Sequence, residues 1–118
     1  KTTVYCGVIR VQMITFANPK KQKMAIGCES IELTEEGNWE TFPEFAEKYA
    51  VQIGAKFVSR ISTPDMHIWQ IEYEGHALNF VYDDFPNGIS LEPKNSNGQA
   101  AIEKLWQIIE KQSEPNGL

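Results

Sequence analysis

The sequence predicts an α+β fold: a curved antiparallel sheet of about five to six strands with two helices on one face, in the order β-β-α-β-β-β-β-α. Three observations carry that prediction. Two stretches, starting near Thr41 and Ser96, repeat apolar residues at the helical period beside a polar face. Several short stretches alternate apolar and polar residues with a period of two. The turn residues between them, such as Thr63-Pro64-Asp65 and Glu74-Gly75, are too few for anything but antiparallel neighbours.

The elements follow in chain order. Lys1 to Phe16 reads as an N-terminal strand, because Ile9, Val11 and Met13 alternate with Val8, Arg10 and Gln12. Arg10 and Gln12 interrupt the apolar run and no small-residue cleavage site follows, so a secretory signal is not expected. Asn18-Pro19-Lys20-Lys21 is expected as a turn, with a second strand from Met24 to Leu33. In that strand Ile26 and Cys28 share one parity while Ile31 and Leu33 share the other, and a bulge near Gly27 to Ser30 would reconcile them. After the acidic connector Thr34 to Asn38, Thr41 and Glu44 have the spacing of a capping box and Pro43 falls in the first helical turn. Phe42, Phe45, Ala46, Tyr49, Ala50 and Ile53 form the helix stripe, and Gly54 ends it as a left-handed cap. Glu40, Glu44 and Glu47 suit the positive end of the helix dipole. Trp39, just ahead, is expected to staple the approach to the helix.

Strands are predicted at Ala55 to Ser62, Met66 to Tyr73, His76 to Tyr82 and Ile89 to Glu92, the last after a turn Asp84-Phe85-Pro86-Asn87-Gly88. Ser96 and Gln99 have capping-box spacing ahead of a second helix with the stripe Ile102, Leu105, Trp106 and Ile109. Ser113 to Leu118 reads as a frayed tail.

The hairpin around Glu74-Gly75 can be placed in register. A two-residue loop sets Tyr73 opposite His76, Ile71 opposite Leu78, Trp69 opposite Phe80 and His67 opposite Tyr82. Gln70 then faces Asn79 and Glu72 faces Ala77 on the other side. A slip of one residue would mix the two sets, so the hydrophobic pattern selects this loop. Trp69 and Trp106 fall on inward faces.

At 118 residues and 13.4 kDa the chain is expected to be a single domain, 1–118, with 42% hydrophobic residues to form one core. Eleven Lys and Arg against sixteen Asp and Glu leave a net charge of −5. That balance argues against binding of nucleic acid through its phosphates, and against an anionic membrane surface. Cys6 and Cys28 have no metal-ligand spacing; whether they pair is left open, and free thiols in a reducing cytoplasm are the simpler reading. The nucleotide-binding glycine signatures are absent, and no cofactor is implied.

One candidate site emerges. The register puts Asp65 opposite Asp84 at the open end of the hairpin, with His67, Tyr82 and Asp83 beside them and Phe85 as an apolar contact. Three carboxylates and an imidazole there could bind a hard divalent cation or hold a proton-transfer pair, although turn-forming roles for Asp65, Asp83 and Asp84 are the simpler explanation. His76 lies at the turn end, about 20 Å from His67 at the usual strand rise, so the two histidines cannot act together.

From Met24 to Gln112 the order strand, helix, four strands, helix resembles TATA-binding-protein-like and helix-grip arrangements, which implies a sheet wrapped around helices and carries over no binding residue. In its size, its acidity and the segments Tyr82-Asp83-Asp84-Phe85-Pro86 and Ser90-Leu91-Glu92, the chain is similar to small uncharacterised bacterial proteins of unassigned function. The expectation that follows is a cytoplasmic interaction or regulatory protein, not an enzyme, binding a basic protein partner through an acidic and aromatic surface. The alternatives are a binder of a small apolar ligand between sheet and helices, and a metal-dependent enzyme using Asp65, His67, Asp83 and Asp84.

Overall fold

A computed structural model describes residues 13–84 and 87–113. Among them the chain forms six strands: β1 (Lys20–Lys23), β2 (Glu29–Thr34), β3 (Lys56–Ser62), β4 (Met66–Tyr73), β5 (His76–Asp84) and β6 (Asn87–Pro93). Two helices, α1 (Phe42–Ile53) and α2 (Gln99–Ser113), complete the α+β fold. The strands make one antiparallel sheet in the order β1-β2-β6-β5-β4-β3. A meander from β3 to β6 occupies one side, and β6 then pairs with β2. Helix α1 therefore crosses the meander to join β2 to the far edge.

The central hairpin forms in the register that the hydrophobic pattern selects, from Met66 opposite Asp83 to Tyr73 opposite His76. Its loop places both Glu74 (φ 51°) and Gly75 (φ 83°) in the left-handed region, as the twist of a two-residue hairpin requires. Glutamate is a poor residue there. The Glu74 carboxylate accepts hydrogen bonds from Lys104 Nζ of α2 at 2.7 and 2.9 Å, which ties the turn to the helix.

Burial follows the parity. Trp69, Ile71 and Tyr73 of β4, Leu78, Phe80 and Tyr82 of β5, Ile89 and Leu91 of β6, and Ile31 and Leu33 of β2 meet Phe42, Ala46, Tyr49 and Ala50 of α1 and Ala101, Ile102, Leu105 and Ile109 of α2. Both helices lie on this face. The rings of Phe42, Phe45, Tyr49 and Phe80 sit with centroids 5.8–6.3 Å apart where they meet, within the range of favourable aromatic packing.

The beginning of the chain differs from expectation. The predicted N-terminal strand falls largely on residues 1–12, outside the described residues, and 13–16 form no regular element. Phe16 is nonetheless buried, edge-on to Phe45 and Tyr49. Lys20 and Lys21 begin β1 and do not form a turn. The single strand predicted from Met24 to Leu33 is interrupted by a tight turn: Gly27 N–H donates to Met24 O, Met24 N–H donates to Cys28 O, and Gly27 has φ 96°. The parity change at Ile26 is thus a hairpin turn. The bulge exists, but between Glu32 and Thr34 against β6. Cys28 is a buried free thiol beside this turn.

Neither predicted capping box forms. Thr41 has helical backbone angles and makes no side-chain cap; Asn38 does the work, its carbonyl accepting Phe42 N–H and its Oδ1 accepting Thr41 N–H. Ser96 begins a single 3₁₀ turn (Ser96–Gly98) that Asn95 caps through Asn97 N–H. The Gln99 amide reaches across to accept Glu29 N–H at 2.8 Å and to donate to Glu103. In both places a nearby asparagine reaches the free N–H groups first. Gly54 does end α1 in the left-handed conformation. The predicted five-residue turn after β5 is shorter, because Asp83 pairs with Gly88 and Asp84 with Asn87. The predicted tail, from residue 114 on, lies outside the described residues, as does the other end's Cys6.

Candidate functional site

The open end of the hairpin is built around His67, which is only 2% exposed. Its ring lies between Trp39 (centroids 4.5 Å apart) and Phe42 (4.9 Å, stacked), edge-on to Trp69. Nε2 is 2.9 Å from the carbonyl oxygen of Trp39, and Nδ1 is 2.6 Å from Ser62 Oγ. A carbonyl oxygen only accepts, so Nε2 carries the proton in the neutral ring. Nδ1 is then the acceptor, and the Ser62 hydroxyl donates to it. Ser62 Oγ in turn accepts Trp69 Nε1–H at 3.3 Å. The bonds run in one direction: Trp69 to Ser62 to His67 to Trp39.

Trp39 is half exposed, yet it is fixed. Its Nε1–H donates to Thr63 O at 3.0 Å, so the loop before α1 is clamped onto the β3–β4 turn. It staples the helix approach as expected, with His67 as the surface it grips. Trp69 is core. Trp106 is only partly buried, with the Lys21 ammonium 5.9 Å from its ring centroid. The Arg60 guanidinium covers the outer edge of the core, 4.3 Å from the Phe57 ring and 4.7 Å from the Trp69 ring, and pairs with Glu47 at 2.8 Å.

The carboxylates divide. Asp65 and Asp84 are opposite one another, with Asp84 N–H donating to Asp65 O at 3.1 Å. The Asp65 side chain is engaged in its own turn by Thr63 Oγ1. Asp84 Oδ1 accepts the Tyr82 hydroxyl at 3.1 Å. Burial pushes the Tyr82 pKa up; the Asp84 hydrogen bond and the charges of Asp84 and Asp83 add to the shift. Asp83, one residue out of phase with Tyr82, belongs to the other face of the sheet. Phe85 lies outside the described residues. Thus Asp65, His67, Tyr82 and Asp84 share an end and a face, but both His67 nitrogens are taken and Asp83 is across the sheet. Among the described residues no three His, Cys, Asp or Glu side chains stand together to hold a metal ion.

The face away from the helices holds a feature that the hairpin-end reading missed. Around Ser90 and Val81, which are paired across β6 and β5, lies a shallow depression of ≈ 190 Å³ lined by Gln22, Glu32, Val81, Asp83, Gly88, Ser90 and Glu92. Glu32 stands opposite Ser90, and Gln22 Nε2 donates to Glu32 Oε1. Glu92 is half-buried, and desolvation raises its pKa. It makes no ion pair or side-chain hydrogen bond with any described residue. The alternation of Ile89, Leu91 and Pro93 with Ser90 and Glu92 was the available signal, since it puts Glu92 with Asn79 on the uncovered side. Val58 and Ile61 stand more than half exposed on edge strand β3, and Ile61 pairs with Ile68, which pairs with Val81.

Among the described residues no helix is long and apolar enough to cross a membrane. No curated protein and no solved structure matches the chain. A family model described as a protein of unknown function, DUF3630, matches residues 20–110, which runs from the first residue of β1 into the last turns of α2 and includes both faces of the sheet. The chain belongs to the DUF3630 family.

Proposed function

We propose that the chain is a small cytoplasmic interaction protein that binds a basic segment of another protein on the open face of its sheet. The reading is carried by Glu92: a half-buried carboxylate with a raised pKa which, among the described residues, has no partner and stands on a face that no helix covers. Desolvating a charge without pairing it costs stability, and such a cost is characteristic of residues kept for function. Glu32 and Asp83 on the same depression add negative charge, and Val81 gives the apolar stem of a lysine or arginine a floor to lie on. The net charge of −5 favours encounter with a basic partner. Of the hairpin-end surface expected from sequence, only Asp83 belongs to this binding surface; Asp65, His67, Tyr82 and Asp84 lie on the opposite, covered face.

The other readings have less support. An apolar ligand between sheet and helices would have to displace Phe42, Tyr49, Phe80, Leu91 and Ile102, all buried and in contact.

The test is a titration of the isotope-labelled chain with a synthetic Lys/Arg-rich peptide, followed by two-dimensional NMR. Saturable shifts are expected at Glu32, Val81, Asp83, Ser90 and Glu92. They should weaken as salt rises toward about 1 M, where the screening length falls to roughly 3 Å. Shifts confined to the exposed side of α2, or no saturation, would refute the reading.

A further inference from the structure

The covered face carries a second arrangement, independent of the open-face reading. Ser62 is the last residue of β3 and is exposed, while the imidazole that accepts its hydroxyl proton is buried. Among the described residues no strand pairs with the far side of β3. We propose that Ser62 is a nucleophilic hydroxyl, with His67 as its base, able to accept an acyl group from a small ester approaching at this free edge.

Four observations support the assignment. Ser62 Oγ lies 2.6 Å from His67 Nδ1, within the reach that proton transfer requires. Trp39 O, 2.9 Å from Nε2, fixes the tautomer that leaves Nδ1 free to accept, the task a carboxylate performs in the familiar serine triads. The rings of Trp39 and Phe42 on either side of the imidazole present their faces to the positive charge it would acquire. Trp69 Nε1–H, directed at the same Oγ, favours negative charge building on that oxygen. The ladder adds an oxyanion donor. Thr63 N–H bonds to Met66 O, so at the neighbouring Ser62–His67 pair the Ser62 N–H is directed away from β4, toward the free edge.

In the acylation step the Oγ–C bond forms, the Oγ proton moves to Nδ1, and the ester's C–O bond breaks as its alcohol leaves with that proton. In the second step water adds its hydroxyl to the acyl carbon and gives a proton to Nδ1. The acyl carbon–Oγ bond breaks, the carboxylic acid leaves, and the proton returns from Nδ1 to Oγ. Ser62 is the catalytic nucleophile and His67 the base; the Trp39 carbonyl is a positioning group.

The experiment treats the full wild-type chain with an alkyl fluorophosphonate and maps the adduct by peptide mass spectrometry. Ser59, exposed on the same strand without a histidine partner, is the internal reference. A single adduct on Ser62, at least tenfold faster than on Ser59, is expected. Ser62→Ala should abolish it, and Trp69→Phe, which removes the indole N–H together with part of the buried ring, should slow it several-fold with the circular dichroism unchanged. No adduct, labelling of Ser59 at an equal rate, or labelling of Ser62 that a folded His67→Gln variant leaves unchanged would overturn the proposal. If His67→Gln fails to fold, the wild-type Ser62-to-Ser59 ratio still decides it.

Discussion

His67, buried, and Glu92, half-buried, are ionisable groups on the two faces of one sheet, and they are treated in opposite ways. Under the helices, every polar atom of His67 has a partner, and the bonds form one directional chain from Trp69 to Trp39. On the open face, Glu92 is half-buried with no partner among the described residues, although Gln22, Glu32 and Ser90 are close by. Packing against a helix demands satisfied polar groups, because an orphan there costs about 1–3 kcal/mol. A face open to water tolerates an orphan more cheaply, so what stands there is free to serve something other than the fold. The same logic separates the other charges. Lys21 pairs with Glu103 and Glu29 at the β1 edge, and the Glu103 hydrogen bond chiefly raises the Lys21 pKa while Lys21 chiefly lowers that of Glu103.

The largest break in the contrast should come from the covered face. Phe42 touches His67, Trp69, Phe80 and Tyr82 and is fully buried. Phe42→Ala is expected to cost about 3–5 kcal/mol in urea unfolding. A smaller cost would show that α1 collapses into the space.

Next comes His67→Leu, which keeps an apolar filling but strands Ser62 Oγ and the Trp39 carbonyl. A loss of about 1–3 kcal/mol is expected. In a double-mutant cycle with Ser62→Ala the two changes should be strongly non-additive; additivity would mean that the 2.6 Å bond contributes little.

Glu92→Gln tests the other face and should have the opposite sign. Burial raises the Glu92 pKa, so the folded chain holds that proton more tightly than the unfolded chain. This contribution to stability is therefore fully present below the ordinary glutamate range and declines as pH rises through the raised pKa. At neutral pH the amide should raise Tm, by less than about 1 kcal/mol in stability once solvent screening is allowed for. The gain should vanish in acid. A Tm that falls on substitution at pH 7 would mean that the carboxylate has a stabilising partner.

The smallest effect is expected for Ile61→Thr. Ile61 is 56% exposed on the open face of the edge strand, so urea unfolding should move by no more than about 0.5 kcal/mol. The same change at Ile71, one strand in and under the helices, should cost several times more.

How much of this was legible beforehand depends on whether a feature is local or assembled. The β4–β5 register was legible pair by pair, from Met66–Asp83 to Tyr73–His76, because a period of two admits only one alignment of the apolar set. The cap at Gly54 and both helix stripes were legible for the same local reason. Both capping boxes misled, since Asn38 and Asn95 compete for the same N–H groups over equally short distances. The β1–β2 turn was concealed because one parity change fits a bulge or a turn equally well. Of the expected site, Asp65 opposite Asp84 was legible from register. The engagement of His67 by Ser62 and Trp39 was not, because Trp39 comes from a loop 28 residues away in sequence.

By itself, then, the sequence determined the α+β class, the identity of the core, the hairpin register and the acidic balance, all of which follow from periodicity and composition. The tertiary structure alone decided that β6 lies between β2 and β5, and hence that Glu32, Asp83 and Glu92 share one depression. It also decided that the tryptophan before α1 closes over His67. Strand order and loop docking are set by how two helices and a sheet jointly bury one apolar face. That is a property of the assembled whole, which no local pattern encodes.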